Sequence, residues 1–123
     1  MLEDILITDE KVEPNQLKIL CERWFGDMVK IVVDVEKNII GIGGELHADA
    51  EAMLLERGSR QEDVWGANLY PWHDPEDHIE YTALINIRPS QENPSMTILD
   101  QEVRKKVKHI IEMLALDPNE KWI

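Results

Sequence analysis

The chain has 123 residues, of which 43% are hydrophobic and 31% are charged, a composition typical of one folded domain and not of a disordered segment. It carries 13 basic and 25 acidic residues and a formal net charge of −12. This charge argues against nucleic acids and anionic membranes as partners, because both carry dense negative charge.

The single cysteine, Cys21, leaves no partner for a disulfide within the chain and too few thiols for a cysteine-based zinc site. We therefore expect a reducing, cytoplasmic environment. The acidic N-terminal stretch lacks the basic start and apolar run of a signal peptide. No apolar run approaches the length that spans a membrane.

The first predicted elements are a short strand at residues 2–7 and a helix that begins at Pro14. Proline suits the first turn of a helix, and Gly26 is a plausible end. Four side chains fall on one face of this helix: Leu17, Leu20, Cys21 and Trp24. We expect Cys21 to be a small buried hydrophobe on that face.

A β-hairpin follows. Residues 28–36 alternate between apolar and polar side chains and predict a half-buried strand. Lys37 and Asn38 suit a tight turn because Asn tolerates a positive φ, and residues 39–42 predict the returning strand.

The polar segment Glu45–Asp63 contains a predicted short helix, capped by His47 or Asp49 and ending near Arg57 before Gly58. Residues 59–63 predict a polar loop.

The second half begins with a predicted strand at residues 64–70 and a turn-rich connection at residues 71–77. Residues 79–87 alternate strictly and predict the clearest strand of the chain. A loop at residues 88–95 and a helix opened by Asp100 follow. Five apolar residues lie on one face of that helix: Val103, Val107, Ile110, Ile111 and Leu114.

These elements predict an α+β fold with a mainly antiparallel sheet of four or five strands and two or three helices on one face. We expect residues 1–123 to form a single domain with an ordered core at about residues 14–116 and a loose C-terminal tail.

Two arginines, Arg60 and Arg88, suggest an anion-binding pocket, because two guanidinium groups converging on one cleft can hold a carboxylate or a phosphate. The surrounding polar residues Ser59, Gln61 and Asn93 would complete it. The alternative is that each arginine neutralises a neighbouring carboxylate in this acidic chain.

A second hypothesis is a small hydrolase-like enzyme. Glu45, His47 and Asp63 would supply acid–base chemistry, with Arg60 and Arg88 as anion clamps. We expect no cofactor and no metal site, since no established metal-ligand pattern appears. Whether His47, His73 or His78 binds a metal is left open, because turn-forming residues explain the second histidine cluster equally well.

Four sequence blocks resemble a family of small prokaryotic proteins filed as a domain of unknown function: FGDMVK, GELHADAE, GSRQEDVWG and INIRPSQ. The similarity covers roughly residues 15–114. Family members often carry a basic or Ser-Arg-Gly-like stretch after the asparagine that corresponds to Asn93, where this chain has Pro94 to Thr97. The resemblance implies no particular activity.

From the residues, the leading hypothesis is a non-catalytic binding or interaction module that self-associates as a homodimer and that takes a small anionic ligand. A site would lie between the polar segment Glu45–Asp63 and the loop that begins at Arg88, because loops at strand ends commonly bind ligands.

Overall fold

A computed structural model describes residues 4–122 and contains a five-stranded antiparallel sheet with the strand order β1-β3-β2-β4-β5. The strands are β1 Leu6–Thr8, β2 Val29–Asp34, β3 Ile39–Ile42, β4 Val64–Leu69 and β5 Ile79–Glu80. The helices are α1 Pro14–Trp24, α2 His47–Glu56 and α3 Gln101–Leu114. The predicted α+β class and the antiparallel sheet are confirmed.

The sheet has a helical layer on each side. On one side, α1 and α3 form the larger core with residues such as Ile31 and Val33 of β2. On the other side, α2 packs Ala50 and Leu54 against Val32. Two helices therefore share one face of the sheet, where two or three were predicted. The third helix covers the opposite face.

The alternating pattern of the central strand β2 predicted a half-buried strand, and this prediction was wrong. Val32 and Asp34 are 0% exposed although they point away from Ile31 and Val33. The reason is that α2 covers their side of the sheet, and alternation alone does not reveal a second helical layer.

The hairpin between β2 and β3 forms as predicted. Asn38 adopts a φ of 56°, which Asn tolerates because of its short polar side chain. Asp34 Oδ1 accepts the backbone N–H groups of Glu36 and Lys37, both at 2.9 Å. The buried carboxylate thus organises the turn that follows its own strand.

Helices α1 and α3 also agree with the predictions. Gly26 has a φ of 89° after the end of α1, and Cys21 is 0% exposed. Asp100 caps α3 by accepting the N–H groups of Glu102 and Val103. For α2 the predicted cap was wrong, since the N-cap residue is Leu46. Asp49 instead sits one turn inside and accepts the Leu46 N–H at 3.1 Å.

The strand predicted at residues 79–87 was wrong beyond Glu80, where β5 ends. Residues Leu84–Asn86 form a 3₁₀ turn instead. The period-two pattern does not belong to one strand, because Tyr81 packs with the α1–α3 core whereas Ile85 packs with the α2 side.

Only part of the predicted first strand lies within the described residues. Positions 2 and 3 are outside them, and β1 pairs with β3 at residues 6–8. Among residues 4–122, no helix combines the length and the apolar character needed to cross a bilayer.

Candidate functional site

An open groove of about 350 Å³ lies on the α2 face of the sheet, between the start of α2 and residues 82–85. Its volume is at the lower end of the range for small-molecule sites. Apolar side chains form most of its wall: Met28, Leu46, Leu84, Ile85 and Met96. Lys30, His47 and Asn68 provide polar groups. We call this feature the α2 groove.

Gly66 lets the groove walls approach the sheet. A Cβ at this position would lie 2.6 Å from the Ala83 Cβ and 3.1 Å from His47 Cδ2. The contact with Ala83 is closer than side chains tolerate, and the contact with His47 would require the ring to shift slightly. The absence of a side chain in the middle of β4 therefore brings the imidazole and the segment after β5 onto the strand.

His47, the first residue of α2, is buried with 9% exposure. Its Nε2 donates to the Ala67 carbonyl at 2.8 Å, which requires the proton on Nε2. Burial is the main cause that lowers the pKa of His47 below its ordinary value of 6.5, and Lys30 lowers it further. Hydrogen bonding to the Ala67 carbonyl and to the Asn68 side chain, and the charge of Glu80, act in the opposite direction. We infer a neutral imidazole at neutral pH.

Asn68 is the polar residue at the floor of the α2 groove and is 9% exposed. Its Nδ2 donates to Glu80 Oε1 at 2.7 Å and to the Thr82 carbonyl at 3.3 Å. Both partners are acceptors, which establishes the orientation of the amide. Its Oδ1 is buried close to the His47 side chain but accepts no hydrogen bond of normal geometry among the described residues, a condition that costs up to about 1–3 kcal/mol.

Lys30 carries the only charge among the residues that line the α2 groove. Its ammonium donates to the Glu45 carbonyl at 2.6 Å and lies 5.1 Å from the centre of the Phe25 ring. Within residues 4–122 it takes part in no ion pair.

Arg88, a predicted anion ligand, is buried with 8% exposure. Its Nε donates to the Ile85 carbonyl at 3.0 Å and its Nη1 to the Gln61 carbonyl at 2.6 Å. Its Nη2 donates to the Val64 carbonyl and lies 3.6 Å from Glu51 Oε2. The guanidinium therefore binds the edge of β4 and not an open cleft.

Two further predicted ligand residues are also buried and bonded within the chain. Ser59 donates to Asp34 Oδ2 at 2.5 Å. Asn93 donates to the carbonyls of Asn86, Ser95 and Thr97 and accepts the Leu99 N–H. Both side chains hold loops in place.

The remaining predicted residues do not come together. Arg60 is exposed and pairs with Glu62 at 2.7 Å, Gln61 and Glu45 are exposed, and Asp63 comes directly before β4. Asp63 is next to Val64, and His47 contacts Ala67. Val64 and Ala67 are three residues apart on β4, or about 10 Å, so Asp63 and His47 are held apart. Of the predicted catalytic and ligand residues, only His47 lines the α2 groove.

The second histidine cluster does not converge with His47. Three exposed carboxylates nearby, Asp74, Glu76 and Asp77, have oxygens within 4.8 Å of one another. They lie on a turn where acidic residues are common without an ion, so the proximity alone does not define a metal centre.

Sequence reasoning missed Lys30 and Asn68. One signal was available: both are polar residues of central strands, and their side chains lie on the same face of the sheet as Gly66. A polar pair beside a glycine on one face of two paired strands indicates a close approach or a ligand.

A family model described as "Protein of unknown function (DUF5674)" matches residues 6–114. The chain belongs to DUF5674. The match runs from the first residue of β1 to the last residue of α3, so all the residues of the α2 groove lie within the DUF5674 region. No curated protein matches the chain, and no solved structure matches it.

Proposed function

We propose that this domain is a non-catalytic binding module whose ligand is a small molecule with an apolar body, held in the α2 groove. The observation that carries this proposal is the combination of exposed apolar walls with an incompletely bonded polar floor. Leu84 is 68% exposed and Leu46 is 56% exposed, while Asn68 Oδ1 lacks a hydrogen-bond partner among residues 4–122.

This combination fits ligand binding in physical terms. Apolar side chains around a cavity gain free energy when a ligand removes them from water, about 25 cal/mol per Å². A few polar groups then orient the ligand. The α2 groove offers Lys30 and Asn68 for this purpose.

The alternative of a hydrolase-like enzyme is less well supported. Its residues Glu45, Asp63, Arg60 and Arg88 are absent from the groove lining. The remaining candidate, His47, directs Nε2 at a backbone carbonyl. Catalysis requires a nucleophile or general base within hydrogen-bond reach of the reacting atoms. The geometry of the described residues offers a binding surface more readily than such a constellation.

The anion pocket formed by Arg60 and Arg88 remains a prediction without geometric support. Arg88 is occupied by backbone carbonyls. Lys30 is the better-placed cation for any negative group on a ligand, because it lines the α2 groove.

Ligand-observed NMR with 4-methylpentan-1-ol tests the proposal, since this probe has a branched apolar body and no charge. Ala48 is exposed and lines the groove, so an Ala48→Trp variant would fill the groove from its rim. Ala52 is exposed on the same helix but does not line the groove, and Ala52→Trp is the matched control. We expect wild type and Ala52→Trp to bind the alcohol and Ala48→Trp to lose binding.

Equal binding by all three proteins would locate the alcohol outside the α2 groove and contradict the proposal. Absence of binding to the wild type would contradict it as well.

Self-association is a second candidate function, favoured by the exposure of Leu46 and Leu84, because exposed apolar patches mark interaction sites. Analytical ultracentrifugation of the same proteins separates the two candidates. A wild-type dimer that becomes a monomer in Ala48→Trp would make a second copy of the chain the occupant of the groove, against the small-molecule proposal.

A further inference from the structure

We propose that the ligand of the α2 groove is an α-amino acid with an apolar side chain, bound as its zwitterion. This inference rests on the proposed function and adds the chemistry of the ligand's polar end. Three side chains carry it: Lys30, Asn68 and Glu80.

The register of the sheet aligns these three residues. Lys30 of β2 lies opposite Asn68 of β4, and Asn68 lies opposite Glu80 of β5. Opposite residues on neighbouring strands have Cβ atoms about 5 Å apart on the same face. The α2 face of the sheet therefore presents a row of a cation, an amide and a carboxylate beside the groove.

Each member of the row has bonding capacity left. The Lys30 ammonium has three donors, of which one reaches the Glu45 carbonyl. Asn68 Oδ1 lacks a donor within residues 4–122. The Glu80 carboxylate accepts the Asn68 amide and the Tyr70 hydroxyl through Oε1, and a carboxylate offers about four acceptor positions.

An amino acid zwitterion complements this row. Its carboxylate would accept from Lys30, and its ammonium would donate to Glu80, whose carboxylate also accepts the Asn68 amide. Its apolar side chain would contact the apolar wall of the groove, to which Leu46 and Leu84 contribute.

Other ligand classes fit less well. A simple anion would meet the negative charge of Glu80. A simple amine would meet the charge of Lys30, and a neutral molecule would leave Lys30 without a counter-ion. Neutral His47 does not alter this balance. Matched opposite charges favour the zwitterion over each single-charge analogue.

Four compounds that share one isobutyl body test this inference by ligand-observed NMR titration. Leucine carries both charges, 4-methylpentanoate lacks the ammonium, 3-methylbutylamine lacks the carboxylate, and 4-methylpentan-1-ol is neutral. We expect wild-type protein to bind leucine about tenfold or more tightly than each of the other three, because charge-assisted hydrogen bonds contribute on that scale.

Two variants assign the charges. Lys30→Met keeps an apolar stem over Phe25 and should weaken leucine about tenfold, without weakening 3-methylbutylamine. Glu80→Gln should weaken leucine and 3-methylbutylamine but not 4-methylpentanoate. Lys105→Met is the control, since Lys105 is an exposed lysine of α3 with 74% side-chain exposure, and should change none of the four affinities.

The outcomes separate this inference from the proposed function. If the alcohol binds as tightly as leucine, or if Lys30→Met binds leucine like wild type, the zwitterion is overturned while the groove remains a binding site. If none of the four compounds binds, both proposals are overturned.

Discussion

At the scale of single residues, burial separates two arginines that look alike in the sequence. Arg88 is 8% exposed and donates to three backbone carbonyls. The Arg60 side chain is 70% exposed and pairs with one carboxylate of similar exposure. Both lie in predicted polar loops, and only the fold reveals that one of them supports the edge of β4.

The two arginines should therefore differ sharply in their effect on stability. We expect Arg88→Ala to lower the free energy of unfolding by about 3–5 kcal/mol, because it leaves Glu51 as an uncompensated buried charge. We expect Arg60→Ala to change it by less than about 0.5 kcal/mol, since exposed pairs contribute little. Urea denaturation of both variants measures this, and equal losses would contradict the structural role of Arg88.

His47 gives the protein a specific dependence of stability on pH. Burial lowers its folded pKa below 6.5, so the unfolded chain takes up a proton first as the pH falls. Its contribution to stability is therefore complete above pH 6.5 and is lost as the pH falls from there toward the folded pKa. Lys30 and Glu80 are the charged groups that act on it.

A His47→Gln variant isolates this effect, because glutamine can still donate to the Ala67 carbonyl but does not titrate. Urea denaturation of both proteins between pH 8 and pH 5 should show wild type losing stability relative to the variant below pH 6.5. Parallel curves over this range would show that His47 titrates alike in both states and would refute the assignment.

At the scale of elements, the outer edge of β4 is completed by side chains and not by a full strand. Asn86 Oδ1 accepts the Gly66 N–H at 2.8 Å, and Asn86 Nδ2 donates to the Gly66 carbonyl at 3.0 Å. This amide imitates the backbone of a neighbouring strand. It allows residues 84–86 to form a 3₁₀ turn, of which Leu84 and Ile85 line the α2 groove.

Asn86 should consequently be a stability determinant of the groove. Asn86→Ala leaves two buried backbone groups of β4 without partners, and we expect a loss of about 2–4 kcal/mol, since each such group costs about 1–3 kcal/mol. Asn119→Ala, in the turn after α3, is the comparison and should be nearly neutral. Thermal unfolding of both variants gives the answer, and a neutral Asn86→Ala would mean that water replaces the amide.

The packing of helix α1 predicts that Cys21 reacts slowly in the native protein. The thiol is 0% exposed, and burial is the first cause that raises its pKa to about 12, followed by Asp27 and Glu22. Because the thiolate is the reactive form, native protein should react with a thiol reagent far more slowly than protein unfolded in urea. Similar rates in the two states would refute the packing of α1.

The regular elements were predictable because each carries its own local signal. The apolar stripes of α1 and α3, the Asn38 turn and the glycine after α1 depend on neighbours in sequence. The fate of residues 79–87 depends instead on the distant Gly66 and on the side chain of Asn86. Period-two alternation is compatible with a strand and with a chain that contacts two different cores in turn.

The candidate site was less predictable for the same reason. The sequence marks His47 as an acid–base candidate in a polar segment, whereas Lys30 and Asn68 lie within predicted strands. Their significance comes from the pairing of β2 with β4, which no local pattern encodes. Conversely, Arg88 and Asn93 are polar loop residues that the sequence predicts as ligand-binding, but both are buried.

At the scale of the whole molecule, two helical layers leave one part of the sheet incompletely covered. The larger core lies between the sheet and the helices α1 and α3. The smaller layer consists of α2 and the segment after β5, and the α2 groove opens between these two components. The net charge of −12 keeps nucleic acid an unfavourable partner, and that expectation remains a prediction.

The most direct test of the central claim, that the α2 groove is a ligand site, is amide chemical-shift mapping of ¹⁵N-labelled protein during titration with leucine and 4-methylpentan-1-ol. The account predicts shifts concentrated at the start of α2, at Gly66 and Asn68 and at residues 82–85, with the amides of α3 unchanged. Shifts confined to the α1–α3 side of the sheet, or no shifts at saturating concentrations of both compounds, would contradict it.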